Sequence, residues 1–201
     1  MVRRRGRRHQ MLVFAKERLV FLAMPKTGTT AYEEALAPHA SLVVRDPPEL
    51  KHAPIWRYNR FFRPMLEKFA GEMETLAVVR EPESWLGSWY RYRRRPFTRG
   101  RPVSTEGLSF DDFVRGYLSD PQPAWARVGS QAAFLAPRPN GTAPDHLFRY
   151  EAPEALLDFL EARLGVRPAP ARRNVSPEAP MELAAETRTA LPARPARPTT
   201  R

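Results

Sequence analysis

Five consecutive residues early in the chain combine the side chains that bind an anion. They are Lys26, Thr27, Gly28, Thr29 and Thr30. The glycine lets the backbone approach a ligand closely, and the hydroxyls and the ammonium group can donate hydrogen bonds to it. Lysine is rare in this chain, with four lysines among its 33 Lys and Arg residues, so a lysine here indicates a need for a compact ammonium group. We interpret the segment as a site for a phosphoryl or sulfuryl group.

The elements around this segment favour the same interpretation. An apolar run typical of a strand covers residues 19–23 and stops before Pro25, and residues 29–36 have the composition of a helix. In a strand–loop–helix unit, the N–H groups of the loop and of the first helical turn point at one spot, where the helix dipole adds partial positive charge. The segment differs from the common triphosphate-binding pattern G-x-x-x-x-G-K-[ST], because Lys26 precedes Gly28.

A second strand-to-helix junction contains an arginine. The apolar residues 76–79 predict a buried strand, and a helix is predicted to begin at Pro82, a residue that suits the first helical turn. Arg80 lies between these two elements, and Ser88 follows eight residues later. Ligands of open α/β sheets bind at the carboxyl ends of the strands, so we expect both Lys26 and Arg80 at such an edge.

The order of the predicted elements indicates the fold class. After an initial hairpin of residues 11–14 and 19–23, strands alternate with helices. This alternation predicts an α/β fold with three layers, α/β/α, and a largely parallel central sheet. We expect a disordered basic N-terminus at residues 1–10, one domain at 11–178, and a tail rich in Pro and Arg at 179–201. The tail could form one helix before it becomes disordered.

Composition excludes several kinds of site and partner. The chain of 201 residues has no cysteine, which excludes disulfides, thiol catalysis and cysteine-ligated zinc. Its four histidines lie far apart in sequence, so we expect no metal site. The net charge of +11 would attract phosphorylated ligands, but much of it lies in terminal arginine clusters typical of solvated tails, and we expect no nucleic-acid partner. No apolar run approaches the roughly 20 residues that span a bilayer, so we expect a cytoplasmic protein without a membrane partner.

Together the two junctions resemble a known family. The segment 25–30, Pro-Lys-Thr-Gly-Thr-Thr, resembles the 5′-phosphosulfate loop of the sulfotransferases that use 3′-phosphoadenosine 5′-phosphosulfate (PAPS). Arg80 with Ser88 resembles the 3′-phosphate site of these enzymes. The segment 148–151 is similar to the strand that precedes the family's late helix, and 174–176 is similar to a segment of carbohydrate-type and bacterial members.

This resemblance implies a P-loop-like sulfotransferase architecture and a specific reaction. A sulfuryl group would move from PAPS to a hydroxyl or amine of an acceptor, which we expect to be a carbohydrate or a small metabolite, and PAP (3′-phosphoadenosine 5′-phosphate) would be the product. Residues 26–30 would bind the 5′-phosphosulfate, and Arg80 and Ser88 would bind the 3′-phosphate. Lys26 would also be catalytic, because it would contact the bridging oxygen where charge grows on the leaving group, and no metal would be needed.

The resemblance also implies a catalytic base between the two nucleotide motifs. His52 is the histidine in the matching place; it follows a predicted strand, and the pKa of a histidine suits proton transfer at neutral pH. Glu33 and Glu34, just inside the first predicted helix, are the alternative bases.

Two other classes of function stay open at this point. A phosphotransferase would need an acidic metal-binding residue at a strand end, and the candidate, Asp46, is followed by two prolines. A catalytically degenerate relative that binds a polyanion or nucleic acid would use the arginine clusters and would not need Lys26. Residues 187–201, rich in Pro and Arg, depart from the aromatic and acidic ending expected of the family and keep this alternative open.

Overall fold

The computed structural model describes residues 11–139, 141–169 and 179–191. The predicted disordered ends, 1–10 and 192–201, lie outside the described residues, as does the segment 174–176.

The described residues fall into two compact units. The first comprises residues 11–79 and 131–169, apart from residue 140, and the second comprises residues 80–130 and 179–191. The anion-binding segment and His52 belong to the first unit, whereas Arg80 and Ser88 belong to the second.

The first unit contains a five-stranded sheet with the order β3-β1-β2-β4-β5. The strands are β1 (Met11–Phe14), β2 (Leu19–Phe21), β3 (Leu42–Val44), β4 (Glu74–Val79) and β5 (His146–Arg149). The predicted hairpin is confirmed as the antiparallel pair β1–β2, and β2, β4 and β5 are parallel neighbours. The mixed α/β class is confirmed. The expectation of a largely parallel sheet holds only for the part formed by β2, β4 and β5. The cause is β1, which inserts between β2 and β3 and pairs antiparallel with both.

Helices precede or follow these strands along the chain, and the helices predicted at 29–36 and from Pro82 are both present. In chain order the helices are α1 (Thr29–Leu36), α2 (Pro48–Lys51), α3 (Ile55–Arg57), α4 (Arg63–Ala70), α5 (Pro82–Arg93), α6 (Phe110–Leu118), α7 (Gln131–Leu135), α8 (Pro153–Leu164) and α9 (Ala185–Ala190). A π-helical turn, Tyr58–Phe62, joins α3 to α4, so the chain is helical throughout residues 55–70. Within the part of the chain that the structure describes, no helix is both long and apolar enough to cross a membrane.

Apolar clusters lie on both faces of the sheet in the first unit. Along β1, Met11 and Val13 join one cluster, while Leu12 and Phe14 join the other, as the alternation of a strand requires. The first cluster includes residues of the 55–70 helix, and the second includes residues of α1 and α8. The expectation that β3 is buried is wrong, because it is an edge strand and Leu42 is exposed.

The second unit is built around α5 and α6. Trp85, Leu86 and Tyr90 of α5 share a buried cluster with Phe110 and Phe113 of α6. The helix predicted in the C-terminal tail forms as α9, and it is held in this unit by two ion pairs. Arg188 of α9 contacts Glu83 at 2.8 Å, and Arg115 of α6 contacts Glu186 at 2.6 Å.

The start of α6 gives a direct test of a local sequence signal. The Ser109 hydroxyl accepts a hydrogen bond from the backbone N–H of Asp112, and the backbone N–H of Ser109 donates one to the Asp112 carboxylate, which forms a capping box. We expect Ser109→Ala to lower the free energy of unfolding by about 1 kcal/mol, because the backbone N–H of Asp112 loses its partner. Urea unfolding would measure the change, with Ser109→Thr, which keeps a capping hydroxyl, as the control. An unchanged midpoint would contradict this role of Ser109.

Candidate functional site

The anion-binding loop follows β2 and has an unusual backbone. Lys26 has a φ of 69° and Gly28 a φ of 73°, so both lie in the left-handed region. For Gly28 this conformation has no steric cost, but for a lysine it costs about 1 kcal/mol or more. The Thr27 hydroxyl donates a 3.0 Å hydrogen bond to the Met24 carbonyl, and Thr27 is fully buried. The loop therefore turns sharply at Lys26, with Thr27 holding its two ends together.

Helix α1 begins directly after this turn, with Gly28 as its N-cap residue. Thr29 and Thr30 form the first two helical positions and are 1% and 8% exposed. The Thr29 hydroxyl is buried and has no hydrogen-bond partner among the residues that the structure describes. Because the first N–H groups of any helix also lack partners within the helix, this end of α1 suits a ligand that accepts hydrogen bonds.

His52 contacts the chain just ahead of the same loop. It is the C-terminal cap residue of α2, and its Nδ1 lies 2.7 Å from the carbonyl oxygen of Ala23. A carbonyl can only accept a hydrogen bond, so Nδ1 must donate, and in the neutral ring the lone pair is on Nε2. Burial lowers the pKa of His52, an effect opposed by the hydrogen bond to Ala23 and assisted by the charge of Lys51. The neutral form is therefore favoured, which is the form that a general base needs.

Tyr150, the residue after β5, packs against the anion-binding loop. Its backbone N–H donates a 2.8 Å hydrogen bond to the carbonyl oxygen of Val79, which extends the β4–β5 ladder. A Cβ atom added to Gly28 would lie 2.7 Å from Cε2 of the Tyr150 ring. The ring thus occupies the space that any side chain at residue 28 would need.

The alternative bases have different environments. Glu33 is only 2% exposed, so its carboxyl group is part of the interior rather than of a surface open to an acceptor. Glu34 is half-buried. Across the described residues, no group of three or more His, Asp and Glu side chains is arranged to hold a metal ion.

Arg80 and Ser88 lie in the second unit, where α5 begins. Arg80 donates a 2.8 Å hydrogen bond from Nε to the hydroxyl of Ser84, one turn before the predicted partner Ser88. Both serines are half-buried on α5. The pairing of Arg80 with Ser88 around a ligand therefore stays a prediction from the sequence.

The structure places part of the predicted site in one unit. Residues 26–30 follow β2 there, and the contact of His52 with the carbonyl of Ala23, three residues before Lys26, fixes the orientation of its ring. Sequence reasoning did not assign a role in the site to Tyr150 or Ser84. Tyr150 had a signal, since it lies in the strand-like segment 148–151, whereas Ser84 had only its spacing of four residues from Arg80 on a predicted helix.

Comparison of the chain with protein-family models, with curated proteins and with solved structures gives no match.

The contact between Gly28 and Tyr150 can be measured by a double-mutant cycle. Gly28→Ala places a methyl group both in a left-handed conformation and against the ring, whereas Gly165→Ala has only the first cost, since nothing lies within 4 Å of its Cβ position at φ 68°. We expect Gly165→Ala to lower the free energy of unfolding by about 1 kcal/mol and Gly28→Ala to lower it further. In the Tyr150→Ala background the difference between the two glycine variants should disappear. Equal losses from the two glycine variants when Tyr150 is intact would contradict the contact.

The burial of His52 predicts a dependence of stability on pH. The pKa of His52 is lowered from its ordinary value of 6.5, so below pH 6.5 the unfolded chain binds a proton that the folded chain does not. The free energy of unfolding should therefore fall as the pH decreases below about 6.5 toward the lowered pKa of the folded state. His52→Gln, whose amide can still donate to Ala23, should make this decline shallower. The measurement is urea unfolding at several pH values, and His39→Gln, at an exposed histidine, is the control. An unaltered decline in the His52 variant would show that the imidazole stays accessible to protons.

Proposed function

We propose that this protein is a sulfotransferase that moves a sulfuryl group from PAPS to a hydroxyl or amine of an acceptor. The observation on which the proposal depends is the loop of residues 24–28, with its two left-handed residues, at the carboxyl end of a parallel strand and at the N-terminus of α1. A strand–loop–helix unit of this kind is suited to a phosphosulfate, because backbone N–H groups and the helix dipole are directed to one anionic group. We propose a sulfuryl rather than a phosphoryl group because the segment 25–30 resembles the loop of the PAPS-dependent enzymes.

The strain at Lys26 supports a functional role for this residue. A lysine in the left-handed region costs stability, and residues held in such conformations cluster at ligand-binding sites. With PAPS bound, the ammonium group would donate to the oxygen that bridges phosphorus and sulfur. This oxygen gains negative charge as its bond to sulfur breaks, so the contact strengthens in the transition state.

His52 is the base in this proposal. Its Nδ1–H donates to the Ala23 carbonyl, which leaves Nε2 as the atom that takes the proton of the attacking hydroxyl. The acceptor oxygen forms the new bond to sulfur, the proton moves to Nε2, and the electron pair of the broken bond stays with PAP. Because burial keeps His52 neutral near pH 7, it does not have to lose a proton before it can act.

The remaining assignments rest on the sequence resemblance. Arg80 and Ser88 are proposed for the 3′-phosphate, Tyr150 is not assigned a ligand, and the acceptor is proposed to be a carbohydrate or small metabolite. No metal ion is included, since Lys26 and the loop N–H groups would offset the developing charge.

Calorimetric titration of PAP, the spent donor, tests the proposal. We expect micromolar binding to the unaltered protein and much weaker binding of ATP with magnesium. Lys26→Ala should weaken PAP binding by roughly tenfold or more, because a charge-assisted hydrogen bond to an anion is lost. Arg80→Ala tests the proposed 3′-phosphate site separately, and 5′-phosphosulfate analogues that lack a 3′-phosphate should bind this variant and the parent protein equally.

Lys16→Ala is the matched control for the loop variant, since it removes an exposed lysine of the β1–β2 turn in the same unit. Equal losses in the Lys16 and Lys26 variants would indicate general attraction of anions by a chain of net charge +11 rather than a built site. No binding of PAP by folded protein would exclude the enzyme and favour a polyanion-binding relative. Tighter binding of ATP with magnesium would favour a phosphotransferase.

A further inference from the structure

The helix of residues 55–70 has two adjacent apolar ridges. On the inner ridge Tyr58, Phe62 and Leu66 belong to or pack against the core of the first unit. Beside it Phe61, Met65 and Phe69 repeat the same spacing on the outer side. An apolar ridge that adjoins a core-facing ridge widens the apolar face of the helix and is expected to be covered as well.

The outer side is nevertheless exposed. Phe61 is 55% exposed, Met65 is 47% exposed and Phe69 is 81% exposed. Scattered apolar residues on a surface are ordinary, but three in a row along one helix form a continuous apolar surface. We call these three residues the outer stripe.

Cations accompany the outer stripe. The guanidinium of Arg60 lies 5.2 Å from the centre of the Phe61 ring, and the ammonium of Lys68 lies 5.8 Å from the centre of the Phe69 ring. At the end of α4, the side chain of Arg18 approaches within 4 Å of the position of a Cβ on Gly71.

Carboxylates contribute little to this face. Glu67 is engaged by Arg63 at 2.9 Å, and Glu72 is the remaining exposed carboxylate of the segment. The outer stripe is therefore apolar, with cations beside the rings of Phe61 and Phe69.

We propose that the outer stripe is a docking surface for an anionic lipid bilayer. The helix would lie in the plane of the membrane surface, with Phe61, Met65 and Phe69 inserted at the boundary between head groups and acyl chains. Arg60 and Lys68 would remain at the level of the lipid phosphates, which their position beside the inserted rings allows. This mode of contact needs no membrane-spanning segment, so the length of the apolar runs in the sequence does not test it.

A second copy of the chain is a poorer occupant. Each partner in a stable dimer contributes about 20–30 residues, many more than the three of the outer stripe. Two copies that paired these faces would also bring the cations of one stripe close to those of the other. A bilayer with anionic lipids has the complementary charge and has no need for a matching shape.

Sedimentation with sucrose-loaded vesicles tests the proposal. The probe is full-length protein with vesicles of phosphatidylcholine and about 30 mol% phosphatidylglycerol, at about 0.1 M salt. We expect binding to these vesicles and much weaker binding to vesicles of phosphatidylcholine alone. The variant Phe61→Ser/Met65→Ser/Phe69→Ser keeps every charge of the chain and should partition at least about tenfold more weakly, because the inserted apolar area is lost. Arg60→Gln and Lys68→Gln should each weaken partitioning by about fivefold.

Controls separate this surface from other sources of binding. Phe97→Ser removes a phenylalanine that is 51% exposed in the second unit, and it should bind vesicles as the parent protein does. Circular dichroism and urea unfolding would verify that the triple variant is folded, which we expect because the three side chains are exposed. Equal binding by the triple variant and the parent would overturn the proposal and assign the attraction to the arginine-rich segments. Absence of vesicle binding, with or without a concentration-dependent dimer that the triple variant abolishes, would also overturn it.

Discussion

The parallel pairing of β2, β4 and β5 is the constraint on which the first unit depends. These strands are covered by apolar clusters on both faces, so their backbone groups must pair with neighbouring strands of the sheet. Parallel strands also deliver their carboxyl ends to a single edge. The loop after β2 and Tyr150 after β5 meet at this edge for that reason, and the ring of Tyr150 reaches Gly28 across residues more than a hundred positions apart in sequence.

Local signals in the sequence predicted the elements well. The helix predicted to begin at Pro82 begins there as α5. Likewise α8 has a proline in its first turn, Ser109 caps α6, and the left-handed Gly165 follows the end of α8, residue types that favour these positions. Each of these signals acts within a few residues, so no knowledge of the tertiary structure is required to interpret it. The order of strands is different in kind, because the insertion of β1 between β2 and β3 is decided by pairing between distant segments. Consequently the mixed character of the sheet and the exposure of β3 were missed.

The same difference between local signals and contacts of distant segments applies to the candidate site. The type and spacing of residues 26–30 predicted a loop that binds an anion, and the left-handed backbone at Lys26 and Gly28 is consistent with a specialised turn. The orientation of His52 could not be predicted, since its Nδ1 contacts a carbonyl 29 residues earlier in the chain. The hydrogen bond of Arg80 to Ser84 was also beyond the sequence, because both serines lie on the same predicted helix and the sequence does not say which of them Arg80 contacts.

The turn in the loop after β2 has a consequence for the rate of ligand binding. The chain turns at Lys26, and the hydrogen bond from Thr27 to the Met24 carbonyl holds this turn from within the loop. A loop held by its own contacts loses little conformational entropy when it binds a ligand. Association of the proposed anion is therefore expected to proceed at the rate at which diffusion and the positive field of the chain bring it in, without a slow step of loop ordering. Selectivity between anions would then appear mainly in how long each one stays.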